Sequence, residues 1–193
     1  KIIDDDQTLP DNGTIKLDHV KGKIDFENVK FSYVPNNLVL KGISFSTKPG
    51  EKIAIVGATG AGKSTIINLL SRFYDIDSGT IKIDDVNIHD MELKNLRQHV
   101  AVVLQDVFLF NTTIYDNIVL GNKDISLEEV QNAAKIIGID NFIMSLPKGY
   151  YSEVSERGST LSVGQRQLIS FLRAYIYNPE ILVLDEATSS IDT

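Results

Sequence analysis

Gly57-Ala58-Thr59-Gly60-Ala61-Gly62-Lys63-Ser64-Thr65 is the stretch on which the fold turns. Its spacing, G-x-x-x-x-G-K-S, is that of a loop that cradles phosphates. Ahead of it stands Glu51-Lys52-Ile53-Ala54-Ile55-Val56, a short apolar run of the kind a buried strand uses. Behind it, residues 63–73 place Ile66, Leu69, Leu70 and Phe73 at helical spacing. Strand, glycine loop and helix in that order predict a triphosphate site rather than a plain glycine-rich turn. The loop from Gly57 through Thr59, Gly60, Ala61 and Gly62 to Thr65 turns backbone N–H groups inward, and the helix N-terminus adds partial positive charge. Lys63 is the candidate cation for the β- and γ-phosphate oxygens, and Ser64 the candidate hydroxyl ligand of Mg²⁺.

The 193 residues suit one domain with a substantial core, and 23% charged residues are ordinary for a soluble protein. No apolar run reaches the length of a bilayer span, and the N-terminus has no signal-peptide pattern. The absence of cysteine excludes disulfides and thiolate metal sites. A net charge of −7 without a basic stripe disfavours nucleic acid as a partner.

Along the chain, residues 1–22 are polar and acidic and read as a linker or tail. Ile24 and Phe26 alternate, then a phase slip to Val29 and Phe31 predicts a strand with a bulge. Ile43 and Phe45 form a second alternating strand, and Lys48-Pro49-Gly50 a turn. Ile81 and Ile83 alternate into Asp84-Asp85, another turn, and residues 100–104 read as a strand buried on both faces. Residues from about 107 to 165 are helical and loop-rich, with a capping box at Ser126-Leu127-Glu128-Glu129 and a helix end at Gly138. A further helix over 165–177, with Leu168, Leu172 and Tyr175 on one side, stops at Asn178-Pro179. Strands alternating with helices predict a parallel α/β core.

Ile181-Leu182-Val183-Leu184-Asp185-Glu186 is a second candidate site. A strand ending in Asp beside a phosphate loop holds Mg²⁺, and the next carboxylate, Glu186, is placed to act as general base on water. Leu161-Ser162-Val163-Gly164-Gln165 is the third. Ser162 and Gln165 make an S-x-x-Q capping box, and the same geometry makes a helix N-terminus that takes an anion.

Leu161 to Gln165 resembles the signature motif of the ATP-binding cassette (ABC) proteins, and Gln105 stands between the two phosphate motifs as that family's glutamine loop does. The resemblance covers nearly the whole chain from Ile24 onward. It implies an α/β P-loop NTPase core with a parallel sheet, an N-terminal antiparallel β subdomain and a helical subdomain at about 107–165, the domain spanning 23–193. Phe31-Ser32-Tyr33 resembles the segment whose aromatic stacks on adenine, which makes Tyr33 the candidate. Ser189-Ser190-Ile191-Asp192 resembles the D-loop, with Asp192 its acidic residue. Glu153 to Gly158, the Leu70-Ser71-Arg72-Phe73-Tyr74-Asp75 segment and the stretch from Val103 to Phe110 resemble the exporter branch.

What the resemblance implies is ATP hydrolysis at a site shared by two nucleotide-binding domains, identical or different, that powers export through membrane helices preceding this domain. Ser162, Gly164 and Gln165 act on the partner's ATP; Ser64, Gln105 and Asp185 hold Mg²⁺; Gln105 and Glu186 serve the hydrolysis. Phe108 and Phe110 are candidates for docking or for core packing. The location implied is the cytoplasmic face of the cell membrane, the isolated chain being soluble. Alternatives are a soluble ABC ATPase unconnected with transport and a nucleotide-binding scaffold without turnover.

Val163 stands where the signature usually has Gly, and Asp85 where a turn usually has Gly. None of His19, His89 and His99 occupies the place of the family's switch histidine, and each reads as a surface or loop residue. The resemblance therefore implies that Thr193 falls inside the domain. It also implies an exposed apolar edge beside residues 181–184, with association or low stability as the consequence.

Overall fold

The computed structural model describes residues 11–155, 158 and 160–185, and the chain divides into two units, residues 1–100 and 101–193. In the first unit, β1 (Ile24–Phe31) pairs antiparallel with β2 (Leu40–Ser46) on one side and with β3 (Ser78–Ile83) on the other. The phase slip after Phe26 is a bulge: register shifts against both neighbours between Phe26 and Lys30, and Asn28 takes φ 49°. The bulge restores Val29 and Phe31 to the face that buries Phe26, leaving the three at 0%, 3% and 2% exposure. Gly79 meets this bulge so closely that a Cβ there would lie 2.5 Å from the Asn28 carbonyl oxygen.

β3 turns through Asp84 (φ 47°) and Asp85 (φ 69°) into β4 (Val86–Asn87). Two residues with positive φ are what a tight hairpin of this hand requires, and aspartate tolerates them. The Asp84 carboxylate accepts from the Lys21 and Lys23 backbone N–H groups, which stitches the incoming chain to the turn. Residues 11–22 run along this unit: Thr14 and Ile15 donate to the Asp90 carbonyl, and Val20 is buried.

Helix α1 (Lys63–Leu70) follows the glycine loop, and α2 (Leu93–His99) closes the unit. Two expectations are corrected here. The helix after the loop ends at Leu70, not Phe73: Arg72 takes φ 50°, and Phe73 turns outward beneath the Arg97 guanidinium, 5.0 Å from its ring centre. Residues 51–56 form no strand and are exposed, Val56 at 87%. A strand exists only where a neighbour takes its N–H and C=O groups, and in this unit β1 to β4 pair with one another, not with 51–56.

His99 is the third correction. It is the last residue of α2, buried at 7% exposure, with Nε2 2.8 Å from the Leu17 carbonyl and 3.4 Å from Asn95 Nδ2. Its burial and its contacts with Leu17 and Asn95 make it a packed residue; His19 and His89 are exposed as expected.

In the second unit, β5 (Val100–Val103) and β6 (Ile181–Leu184) form a parallel two-stranded sheet. Parallel pairing requires a long crossover, and the helices between supply it. They are α3 (Ile114–Val119), α4 (Leu127–Ile137), α5 (Asp140–Ser145), a 3₁₀ turn at Gly149–Tyr151, and α6 (Val163–Ile176). Their core includes Leu109, Ile118, Val130, Ala134, Ile143, Ile169 and Leu172, each fully buried, and Tyr150 at 3% exposure. α4 starts at the expected capping box, Ser126 with Glu129, and ends at Gly138 with φ 86°. In β5 the interior residues are half-buried and Leu104 lies beyond the strand at 47% exposure; in β6, Leu182 and Leu184 are 51% and 43% exposed. β5 buries Val100 and Val103 on opposite faces, whereas β6 leaves the face of Leu182 and Leu184 exposed.

Candidate nucleotide site

In the first unit the glycine loop enters α1 through Gly62, whose φ of 91° makes it the helix N-cap. A Cβ at Gly62 would come 2.8 Å from Leu40 Cδ2, so both conformation and space demand glycine. Gly60 has φ 81° with open space where a side chain would be. Ala61 N–H donates to the Ala58 carbonyl and tightens the loop into a turn. The Lys63 ammonium donates back to the carbonyls of Gly57 at 2.9 Å and Ala58 at 3.1 Å, so the cation sits over the loop it belongs to. Gly57, Thr59, Gly60 and Ala61 are exposed, as is Ser64. The loop is open to solvent on a helix N-terminus, with a fixed cation: the donor set a polyphosphate needs.

Tyr33 is bound to the same helix. Its hydroxyl donates to Thr65 Oγ1 at 3.2 Å and accepts from Asn68 Nδ2 at 3.3 Å. Its ring meets Phe31 and Tyr74 edge-on, at 4.8 and 5.1 Å between centroids, and remains 46% exposed. Thr65 is buried, and its hydroxyl oxygen accepts from Tyr33. Asn68 and Tyr74, which orient Tyr33, were not assigned this role from sequence; only the i+3 relation of Asn68 to Thr65 on α1 hints at it.

The second unit carries the remaining candidates. Asp185 follows β6 and donates its backbone N–H to the Val103 carbonyl at 2.9 Å. Gln105 follows β5 by two residues and is exposed. Both therefore stand at the carboxyl end of one parallel sheet, where open α/β sheets place ligands. Ser162 caps α6 in a reciprocal box: Gln165 N–H donates to Ser162 Oγ at 3.1 Å, and Ser162 N–H to Gln165 Oε1 at 2.9 Å. The box uses the Gln165 N–H and leaves the Ser162 hydroxyl proton and the Val163 and Gly164 N–H groups outside it. α6 begins two residues earlier than its apolar periodicity indicates, because the cap rather than the core face sets its start. Val163 is 48% exposed and Gly164 half-buried at this end. Glu186, the D-loop with Asp192, and Glu156 and Arg157 lie outside the described residues.

Phe108 and Phe110 are exposed at 55% and 51%, edge-to-face at 5.1 Å. Buried Asn117 fixes them: its Nδ2 donates to the Phe110 carbonyl and its Oδ1 accepts the Phe110 N–H. Arg173 Nε donates to the Asn117 carbonyl at 2.8 Å, and burial lowers its pKa. Between this loop and α6 lies a cavity of about 540 Å³ lined by Gln105, Asp106, Val107, Phe108, Val163, Arg166 and Gln167.

Among the described residues no group of three or more His, Cys, Asp or Glu gathers as a metal centre. Ser64, Gln105 and Asp185 offer a hydroxyl, an amide and one carboxylate. Each is a hard oxygen donor of the kind Mg²⁺ takes.

Phosphate loop, capped second helix and carboxylate at the strand end agree with the family comparison: residues 40–189 match the ABC transporter family, and the chain belongs to it. It is 52% identical over 179 residues, 93% of its length, to the uncharacterized ABC transporter ATP-binding protein YknV of Bacillus subtilis (strain 168). It is 47% identical over 186 residues, 96% of its length, to the ATP-dependent lipid A-core flippase of Saccharophagus degradans. A bacterial Atm1-family ABC exporter solved with ATP bound superposes with a TM-score of 0.88, at 43% identity over 96% of this chain. The chain spans 30% and 32% of the length of these two relatives and 32% of the exporter chain. No described helix is long and apolar enough to cross a membrane.

Proposed function

We propose that this chain binds Mg²⁺-ATP and hydrolyses it at a site completed by a second nucleotide-binding domain, driving export by an ABC transporter. The observation that carries the reading is the Lys63 ammonium seated over the Gly57 and Ala58 carbonyls at the mouth of a glycine-capped helix. A triphosphate replaces those carbonyls as the partner of Lys63 and takes loop N–H groups along its β- and γ-oxygens. Tyr33 supplies a ring for the adenine face, with its hydroxyl held by Thr65 and Asn68.

Mg²⁺ supplies charge neutralisation of the phosphates, and Ser64, Asp185 and Gln105 are the residues proposed to hold it. Glu186 orients and deprotonates the attacking water. Ser162, Gly164 and Gln165 present the α6 N-terminus to the γ-phosphate bound on the partner domain, whether identical or different. Closure of two such faces surrounds the developing charge with fixed donors and excludes water. The membrane helices of the same transporter receive that closure at the cytoplasmic face.

Steady-state hydrolysis measured against protein concentration tests this. A rate rising faster than linearly supports a site made by two chains, and Glu186→Gln then retains ATP while losing nearly all turnover. A strictly linear rate, or full turnover in Glu186→Gln, contradicts it.

A further inference from the structure

Gln167 lies on α6 at 2% exposure, lines the 540 Å³ cavity, and its side-chain carbonyl Oε1 has no hydrogen-bond partner. A buried acceptor left unsatisfied is costly and rare in folded proteins. The cavity lining offers few donors to relieve it. Val107, Phe108 and Val163 have apolar side chains, and the Asp106 carboxylate accepts only. Arg166 gives Nη1 to the Leu161 carbonyl at 2.7 Å and to the Gly158 carbonyl, and as the residue just before Gln167 on α6 it does not share that residue's helix face. The remaining side chain with N–H groups to give is the carboxamide of Gln105, exposed on the same cavity.

We propose that Gln167 is a positioning residue for Gln105: rotation of the exposed Gln105 side chain into the cavity brings its carboxamide onto the buried Gln167 carbonyl and away from the nucleotide. Gln105 then has two competing positions, one on Gln167 and one on the metal side of the ATP. This rests on the reading of Gln105 as a Mg²⁺-side residue. ATP with Mg²⁺ draws Gln105 off Gln167, and Gln167 sets the resistance to that movement. The pair links the strand end that carries Gln105 to the helix whose first turn carries the signature residues.

The test is a double-mutant cycle on nucleotide affinity in the purified protein, with and without Mg²⁺. Gln167→Met keeps the side-chain length and removes the acceptor. It is expected to tighten Mg²⁺-ATP binding about two- to tenfold, the effect of one ordinary hydrogen bond. Gln167→Glu, a stronger acceptor, is expected to weaken it. Neither variant changes affinity for ATP in EDTA, and both effects vanish in a Gln105→Ala background. In the nucleotide-free protein, the ¹⁵N carboxamide signal of Gln105 shifts and exchanges faster in Gln167→Met. Effects that persist without Gln105, or a Gln105 signal indifferent to Gln167, overturn the proposal. Absence of ATP binding in the unsubstituted protein overturns the nucleotide reading instead, and the carboxamide signal still decides whether the two glutamines meet.

Discussion

The Lys63 ammonium donates to the carbonyl of Gly57, six residues back, at 2.9 Å. The contact is partly exposed and closes the loop on itself, so it is a resting position rather than a foundation of the fold. Lys63→Ala therefore leaves thermal stability within about 2 °C, as for a surface substitution. A large fall in melting temperature, read by calorimetry, contradicts the assignment of this cation to ligand rather than structure.

Tyr33 separates two roles in one side chain. Tyr33→Phe keeps the ring and loses the bonds to Thr65 and Asn68, and is expected to weaken ATP only about two- to fivefold. Tyr33→Ala removes the ring as well and is expected to erase discrimination between ATP and inorganic triphosphate. Competition titrations against a fluorescent ATP analogue read both; equal losses in the two variants count against stacking.

Asn117 is fully buried and meets both backbone groups of Phe110 as well as the Thr113 carbonyl. Asn117→Ala leaves several of these groups without partners inside the helical core. The expected loss is about 2–4 kcal/mol of stability, measured by urea unfolding. A change below about 0.5 kcal/mol would show that water replaces these bonds.

Asp116 sits in the first turn of α3, where Thr113 at 2.6 Å and then Thr112 at 2.8 Å donate to it and hold its pKa below the ordinary 3.8. A carboxylate with a depressed folded pKa stabilises fully above its unfolded value and loses that contribution as pH falls through the folded one. Acid below about pH 4 should thus loosen α3 first, and Asp116→Asn should flatten this part of the stability profile. Backbone amide exchange in α3 against pH checks it; an unchanged profile in Asp116→Asn removes Asp116 as the cause.

Where local chemistry dictated geometry, the sequence was readable. The phase slip at Phe26 and Val29 became a bulge, Ser126 with Glu129 and Ser162 with Gln165 became capping boxes, and Gly138 ended α4. Each of these is decided within a few residues. Residues 51–56 were misread because a strand is a property of its neighbours, and the apolar run says nothing of which strands flank it. Burial of His99 depends on Leu17, 82 positions away in the chain, beyond any local pattern. For the candidate site, Lys63 and the loop glycines were legible through fixed spacing. Asn68, Tyr74 and Gln167 were not, since only the fold sets them beside Tyr33 and the Gln105 cavity.

The central claim is that the loop over 57–65 binds the phosphates of ATP through Lys63. Calorimetric titration of Mg²⁺-ATP into the unsubstituted protein and into Lys63→Ala tests it most directly. Binding is expected to weaken about 10- to 100-fold in Lys63→Ala, the cost of losing charge-assisted bonds to phosphate. Equal affinity in the two proteins would contradict it.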